Sequence, residues 1–491
     1  MRIPFPVRIP FYGAAIFATA LFAIQRIEGT PLYFCAGSLL FLLIATLAFN
    51  TAGGLTRTSG AYIFFYAVLD VVIGLVYKAF LGEPADSNLS DPHTTIEVYV
   101  AGISAMFLAA LVSRRFSRKT PLLAGILKED QMYPAAIGCI VAGIIVAPII
   151  ALLGPNAVRI QTAFNQLNLL IPLGVILGVL DEIRRSGGRR SVNLTIVGAM
   201  IYYFVMYGVF GFSKQGMLVG PVCWGIAAWS QRYRFSRAQL AGFVIGAVVF
   251  FRYLVPYDQI ARGLPGAAEG LGARLKIASE LLAEPEKTHT DFVDMSEDAR
   301  GLGSYYNTSQ GFWERLQFIS ADDALINVTD EGKVFGLLPL EGEFLNTVPH
   351  VFWPDKPTIN FGNVYAHEIG NFTEDDTTTG ISFSPTAEAY HLAKWTGVLF
   401  IAPLLWFLFF VVYDSLLGDL RLTAWGLLAT VAIAHIAPEG GIGGVVGLLS
   451  FYAEAIIFGV VFATRVAPLF AESVTGTRGR VPSNISGVSA S

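Results

Sequence analysis

"SPTAEAYHLAKWTGVLFIAPLLWFLFFVVY", residues 384–413, decides the fold class. After Lys394 it carries no charged residue. An apolar run of that length is what a helix needs to cross roughly 30 Å of hydrocarbon. Ser384 suits an N-cap and Pro385 the first helical position. The stretch therefore predicts a nearly continuous helix, about 29 residues and roughly 43 Å long at 1.5 Å per residue. That exceeds the hydrocarbon, so about two turns project into the outer headgroup layer. Glu388, His391 and Trp395 recur there at i, i+3 and i+7, on one predicted face. A carboxylate, an imidazole and an interface aromatic thus stand where a lipid phosphate lies, which also suits an ordinary polar helix start.

The rest of the chain repeats this pattern. Of 491 residues, 54% are apolar and only 14% charged, well below the roughly 25% charged of soluble domains. About twelve apolar blocks of spanning length lie near 11–27, 31–49, 60–80, 94–113, 134–153, 164–181, 193–212, 215–230, 238–255, 395–413, 422–438 and 443–464. The fold class read from them is all-α: a polytopic membrane helix bundle. The first block, after Arg2 and Arg8, reads as a span rather than a cleaved signal. Cys35, Cys139 and Cys223 all sit in apolar blocks, which excludes a disulfide framework and a cysteine metal site. The net charge of −4 points to no nucleic-acid partner.

Orientation follows from Lys and Arg in the short loops. Arg114, Arg115, Arg118, Lys119 and Lys128 fill one connection, Arg184, Arg185, Arg189 and Arg190 another, and Arg232, Arg234 and Arg237 a third. The intervening loops are poor in cations, and 81–93 is acidic. Both termini are predicted to be cytoplasmic. Residues 1–255 then form nine spans, 256–394 an extracytoplasmic domain, 395–464 three more spans, and 465–491 a disordered tail. The outer segment, about 139 residues, is too long for a plain connector. Phe312, Leu316 and Ile319 recur in it at helical spacing, and 333–348 reads as a second helix broken at Pro339.

Cations on the outer side form a second candidate group: Arg159, Lys214 in the tight hairpin "GFSKQGM", Arg252, Arg315 and Lys356. Several together would hold a diphosphate by charge-assisted hydrogen bonds, though each also suits headgroup snorkelling. Asp70, His435 and Glu454 fall inside spans, where ionisable groups face an interior or a cavity; internal hydrogen bonding is the expectation. No phosphate-binding glycine loop, dinucleotide fingerprint or HExxH occurs, so a nucleotide substrate and a catalytic metal are not indicated. The first outer loop is too short for an acidic metal-binding pair, and the adjacent acids Asp322–Asp323 and Asp375–Asp376 read as solvated loop residues.

"VPHVFWPDKP" at 348–357, followed by "SFSPTAEAYHLAKWTGVL", resembles the Wzy-type polymerases of O-antigen and other oligosaccharide repeat units. "FSKQGML" is similar to the Ser-Arg-Gly turn of that family, with Lys214 in the Arg place. His350 stands where the family tends to carry Arg, and "HLAKWTG" lacks the usual Phe-Gly. The resemblance implies a cofactor-free glycosyltransferase of the bacterial inner membrane. Its donor and acceptor would both be polyprenyl-diphosphate-linked oligosaccharides, with a flippase and a chain-length regulator as partners. It implies Glu388 as general base with His391 second. Lys214, Arg159, Arg252, Arg315 and Lys356 would meet diphosphate, and His350, Trp353, Asp355, Tyr390 and Trp395 the sugar or lipid. An O-antigen ligase shares this plan, and a flippase for lipid-linked glycans is the rival from another class. The large outer segment and the absence of an internal repeat weigh against the flippase.

Overall fold

The computed structural model describes residues 2–153, 166–267, 270–298, 304–308, 313–346, 348, 353, 360–371 and 380–475. All regular elements among them are helical. In chain order they are α1 (Phe11–Ile27), α2 (Leu32–Ala52), α3 (Thr58–Leu81), α4 (Pro92–Phe116), α5 (Met132–Leu153), α6 (Leu170–Arg185), α7 (Leu194–Val209), α8 (Lys214–Ser230) and α9 (Arg237–Gly263). Residues 256–394 supply α10 (Leu271–Ala283), α11 (Pro285–Asp298), α12 (Ile319–Asp330), α13 (Leu338–Asn346) and α14 (Phe361–Glu368). The chain closes with α15 (Pro385–Leu422), α16 (Ala424–Glu439) and α17 (Gly441–Ala471).

Seven of these helices are long and apolar enough to cross a membrane, and three shorter ones, α1, α7 and α16, are comparably apolar. Together they describe a multi-pass membrane bundle. Each apolar block read from the sequence falls, in its described part, on a helix. Local chemistry sets the ends: Asp91 accepts the Thr94 N–H at the start of α4, and a Ser236–Gln239 capping box opens α9. Gly53 and Gly82, both at positive φ, close α2 and α3.

In the core, α2 packs between α1 and α4, α15 runs along α4, and α5 lies against α6 and α17. Where α4 meets the start of α15 the approach is close enough to require glycine. A Cβ on Gly102 would lie 2.0 Å from Thr386 Cγ2. One helix stays apart: α9 buries 11% of its apolar window, against 39–56% for the other six long helices. Its C-terminal end packs with α8 and α10 in a small hydrophobic cluster separate from the main core.

Two expectations for residues 256–394 change. Pro339 is the second residue of α13 rather than a break in it, since proline suits a first turn. Asp322 and Asp323 are buried, not solvated. Asp322 accepts the Ser384 N–H at 2.9 Å and the Tyr99 hydroxyl at 2.7 Å. Asp323 accepts the N–H groups of Ser90 and Asp91 and the Thr95 hydroxyl. The pair ties α12 to the first turns of α4 and to the cap of α15. Burial pushes the Asp322 carboxyl up to about 6 and raises Asp323 as well. The tail beyond 475 lies outside the described residues.

Candidate functional site

The start of α15 carries the site. Ser384 Oγ accepts the Ala387 N–H at 3.2 Å, with Pro385 in the first turn. The helix then breaks instead of running on to Tyr413. Ala393 (φ −156°, ψ 28°) and Lys394 (φ 50°, ψ −136°) leave helical geometry, an uncommon conformation for a lysine. The two carbonyls this frees are taken by the turn after α12: Phe335 N–H donates to His391 O at 3.0 Å, and Gly336 N–H to Leu392 O at 3.1 Å. The break takes Trp395 off the face that sequence spacing gave to Glu388, His391 and Trp395.

Glu388 is 6% exposed. Its Oε1 accepts the Tyr365 hydroxyl at 3.1 Å, and its Oε2 the Gly443 N–H at 2.9 Å. The second donor belongs to the N-terminus of α17, where the backbone dipole favours a negative group. Gly441 makes room for it, because at φ +59° its Cβ would sit 2.2 Å from Glu388 Oε2. Glu388 faces a cavity of about 230 Å³. α13 and α14 form one side, and the start of α15, the end of α16 and the start of α17 form the other. Its polar wall includes Glu343, Asn360, Tyr365 and Glu439.

The other expected residues disperse. His391 is fully buried, with Nδ1 2.8 Å from Thr329 Oγ1 and Nε2 2.9 Å from Glu368 Oε2. It stands outside the described cavity wall and clamps α15 to α12 and α14. Burial raises the Glu368 carboxyl. Tyr390 donates to Asp330 Oδ1 at 2.6 Å and packs edge-on against Trp395, which is 36% exposed; neither is among the described wall residues. Trp353 is exposed. Lys214, the first residue of α8, has Nζ 3.9 Å from Asp258 Oδ2, while Arg262 approaches Asp258 Oδ1 at 3.1 Å. Arg252 pairs with Glu286 at 2.8 Å. Those contacts belong to the α8–α9 corner, in the separate hydrophobic cluster. The backbone of Arg315 lies in a short 3-10 turn. Arg159, His350, Asp355, Lys356 and the Asp375–Asp376 pair lie outside the described residues.

The three intramembrane residues also divide. Asp70 is fully buried, but neither carboxylate oxygen has a hydrogen-bond partner. His435 is half-exposed, with Nδ1 3.5 Å from Glu439 Oε2. Glu454 lies exposed on the flank of α17 instead of facing the interior.

Sequence reading missed Tyr365, Gly441, Gly443, Glu343 and Glu439. Tyr365 lies in "FGNVYAHE", which carries no local mark, because its meaning depends on a partner 23 residues away. The glycine cluster "EGGIGG" at 439–444 was the one available signal, since glycines opening an apolar run mark a close backbone approach. No protein-family model, no curated protein and no solved structure matches the chain.

Proposed function

We propose that this protein is a membrane glycosyltransferase that extends glycans carried on polyprenyl diphosphate, and that the cavity at Glu388 is where the acceptor sugar reacts. On this reading the chain spans the bacterial inner membrane about twelve times, with both termini cytoplasmic and residues 256–394 outside. The observation that carries it is the setting of Glu388. The residue picked out by the Glu-Ala-Tyr segment is buried, is held only by neutral donors at the contacts described, and faces a polar cavity beside the mouths of two apolar helices.

The chemistry asks little more. The acceptor hydroxyl oxygen attacks the anomeric carbon of the donor and its proton passes to Glu388. The bond from that carbon to the diphosphate oxygen breaks, and polyprenyl diphosphate departs with the electron pair. A positioned base contributes roughly 10²–10⁴-fold, and the diphosphate is already an activated leaving group, so no nucleotide is consumed. The cavity of about 230 Å³ gives room for a sugar ring beside Glu388. The leaving diphosphate is assigned to Lys356, the cation of the 348–357 segment that resembles the polymerase motif. Charge developing there is what a nearby cation would stabilise.

The test is reconstitution in liposomes with a polyprenyl-diphosphate repeat unit and neither nucleotide nor metal. A glycan ladder on a gel supports the reading. Transfer only to a different lipid acceptor would make the protein a ligase, and an unaltered repeat unit that crosses the bilayer would make it a flippase.

A further inference from the structure

Asp70 is the one fully buried carboxylate among the described residues with both oxygens unpartnered. It sits in a π-helical turn of α3, Ala67–Val72, where the helix widens. Its charged neighbours are two further acids, Asp322 and Glu439. No ion pair among the described residues includes Asp70 or Asp322. The hydroxyls beside it form a chain: Tyr66 OH lies 2.9 Å from Thr386 Oγ1, which lies 3.0 Å from Ser384 Oγ. The Tyr62 hydroxyl, one helical turn before Tyr66, is fully buried as well. A buried polar group left unmatched in a well-packed core calls for an ion, a water or a function.

We infer that this widened turn of α3 binds a monovalent alkali-metal cation, for which sodium is the probe, with Asp70 as the charged ligand and the Tyr66 hydroxyl beside it. Two fully buried neighbouring carboxylates do not both ionise without compensation. Asp322 already accepts two donors, the arrangement that an ionised carboxylate takes. A protonated Asp70 would need an acceptor for its own O–H, and it has no hydrogen-bond partner. A cation needs only oxygens. A divalent ion would want several converging carboxylates, and no group of three or more acidic, imidazole or thiol side chains closes up for that among the described residues. One carboxylate with hydroxyls and backbone at a widened helix turn suits a monovalent ion within a membrane. Held there, the ion would join α3 to α12 and the cap of α15.

The inference is independent of the transferase reading, and its test uses no sugar. The purified full chain is unfolded thermally while sodium chloride replaces choline chloride at constant ionic strength and pH. The wild type is expected to rise by about 2 °C or more, saturating with sodium, with a weaker response to potassium. Asp70→Asn removes the uncompensated charge while keeping the shape. It is expected to fold at least as well in choline and to show no sodium response, and Tyr66→Phe to need several-fold more sodium. Coincident wild-type curves in sodium and choline would overturn the site, as would a sodium response that survives in Asp70→Asn. A midpoint that follows pH alone and loses that dependence in Asp70→Asn would put a proton in the ion's place.

Discussion

Two buried carboxylates, Glu388 and Asp258, show how differently an acid can be held at the edge of the same bundle. Asp258 sits in the α8–α9 corner with Arg262 at 3.1 Å and Lys214 at 3.9 Å. The three side chains fasten the hairpin to α9. Glu388 instead accepts one hydroxyl and one backbone N–H, and it opens on a cavity. A carboxylate held by neutral donors keeps its capacity to take a proton from a substrate. Asp258 lines none of the cavity that Glu388 faces. The contrast separates a place for chemistry from a structural joint, and it moves Lys214 towards the second.

Glu388→Gln gives the sharpest test of that difference. It keeps the volume and removes the base, so elongation per folded protein should fall roughly 10²–10⁴-fold. Size-exclusion profiles check that the variant is folded. Gly441→Ala should come next. Its Cβ would press on Glu388 Oε2, and alanine at positive φ costs about 1–2 kcal/mol by itself. Elongation should fall at least tenfold, with a lowered unfolding midpoint. A fully active Gly441→Ala would mean that Glu388 is free to move and that the cavity is not preorganised.

The other side of the comparison breaks differently. Asp258→Ala leaves Lys214 and Arg262 facing each other without their acid. Both are partly exposed, so solvent screens the loss, and about 1–2 kcal/mol of stability is expected to go. Thermal unfolding reads it, and the glycan ladder per folded molecule should hardly change.

Much of the fold was open to sequence reading, because periodicity and composition are local. The apolar blocks, the Ser384 cap and the glycine stops of α2 and α3 need no distant partner. The break at Ala393–Lys394 was invisible, because the N–H groups of Phe335 and Gly336 that take up the freed carbonyls lie some sixty residues earlier in the chain. Asp322 and Asp323 were misread for the same reason: two adjacent acids look solvated until α4 and Ser384 are brought to them. Of the site, Glu388 was legible through a motif. Tyr365 and the Gly441–Gly443 floor acquire their roles only when helices far apart in sequence meet. His391 shares its helix with Glu388 but is claimed by Thr329 and Glu368.

The smallest effect concerns the joint at Asp322. A carboxyl raised to about 6 binds its proton more tightly folded than unfolded. Stability should therefore rise as pH falls from 7 through 6 towards the ordinary carboxylate range, and be lost again as pH rises through 6. Asp322→Asn should flatten that slope in thermal unfolding measured across the window. A slope unchanged in the variant would place the titrating group elsewhere.

The most direct measurement sets wild type, Glu388→Gln and Lys214→Ala side by side in liposomes with one lipid-linked repeat unit, and reads the glycan ladders from a single gel. The account predicts a full ladder for the wild type, none for Glu388→Gln, and a ladder reduced less than about tenfold for Lys214→Ala, a change worth under ~1.4 kcal/mol. A full ladder from Glu388→Gln, or one abolished equally by both substitutions, would contradict it.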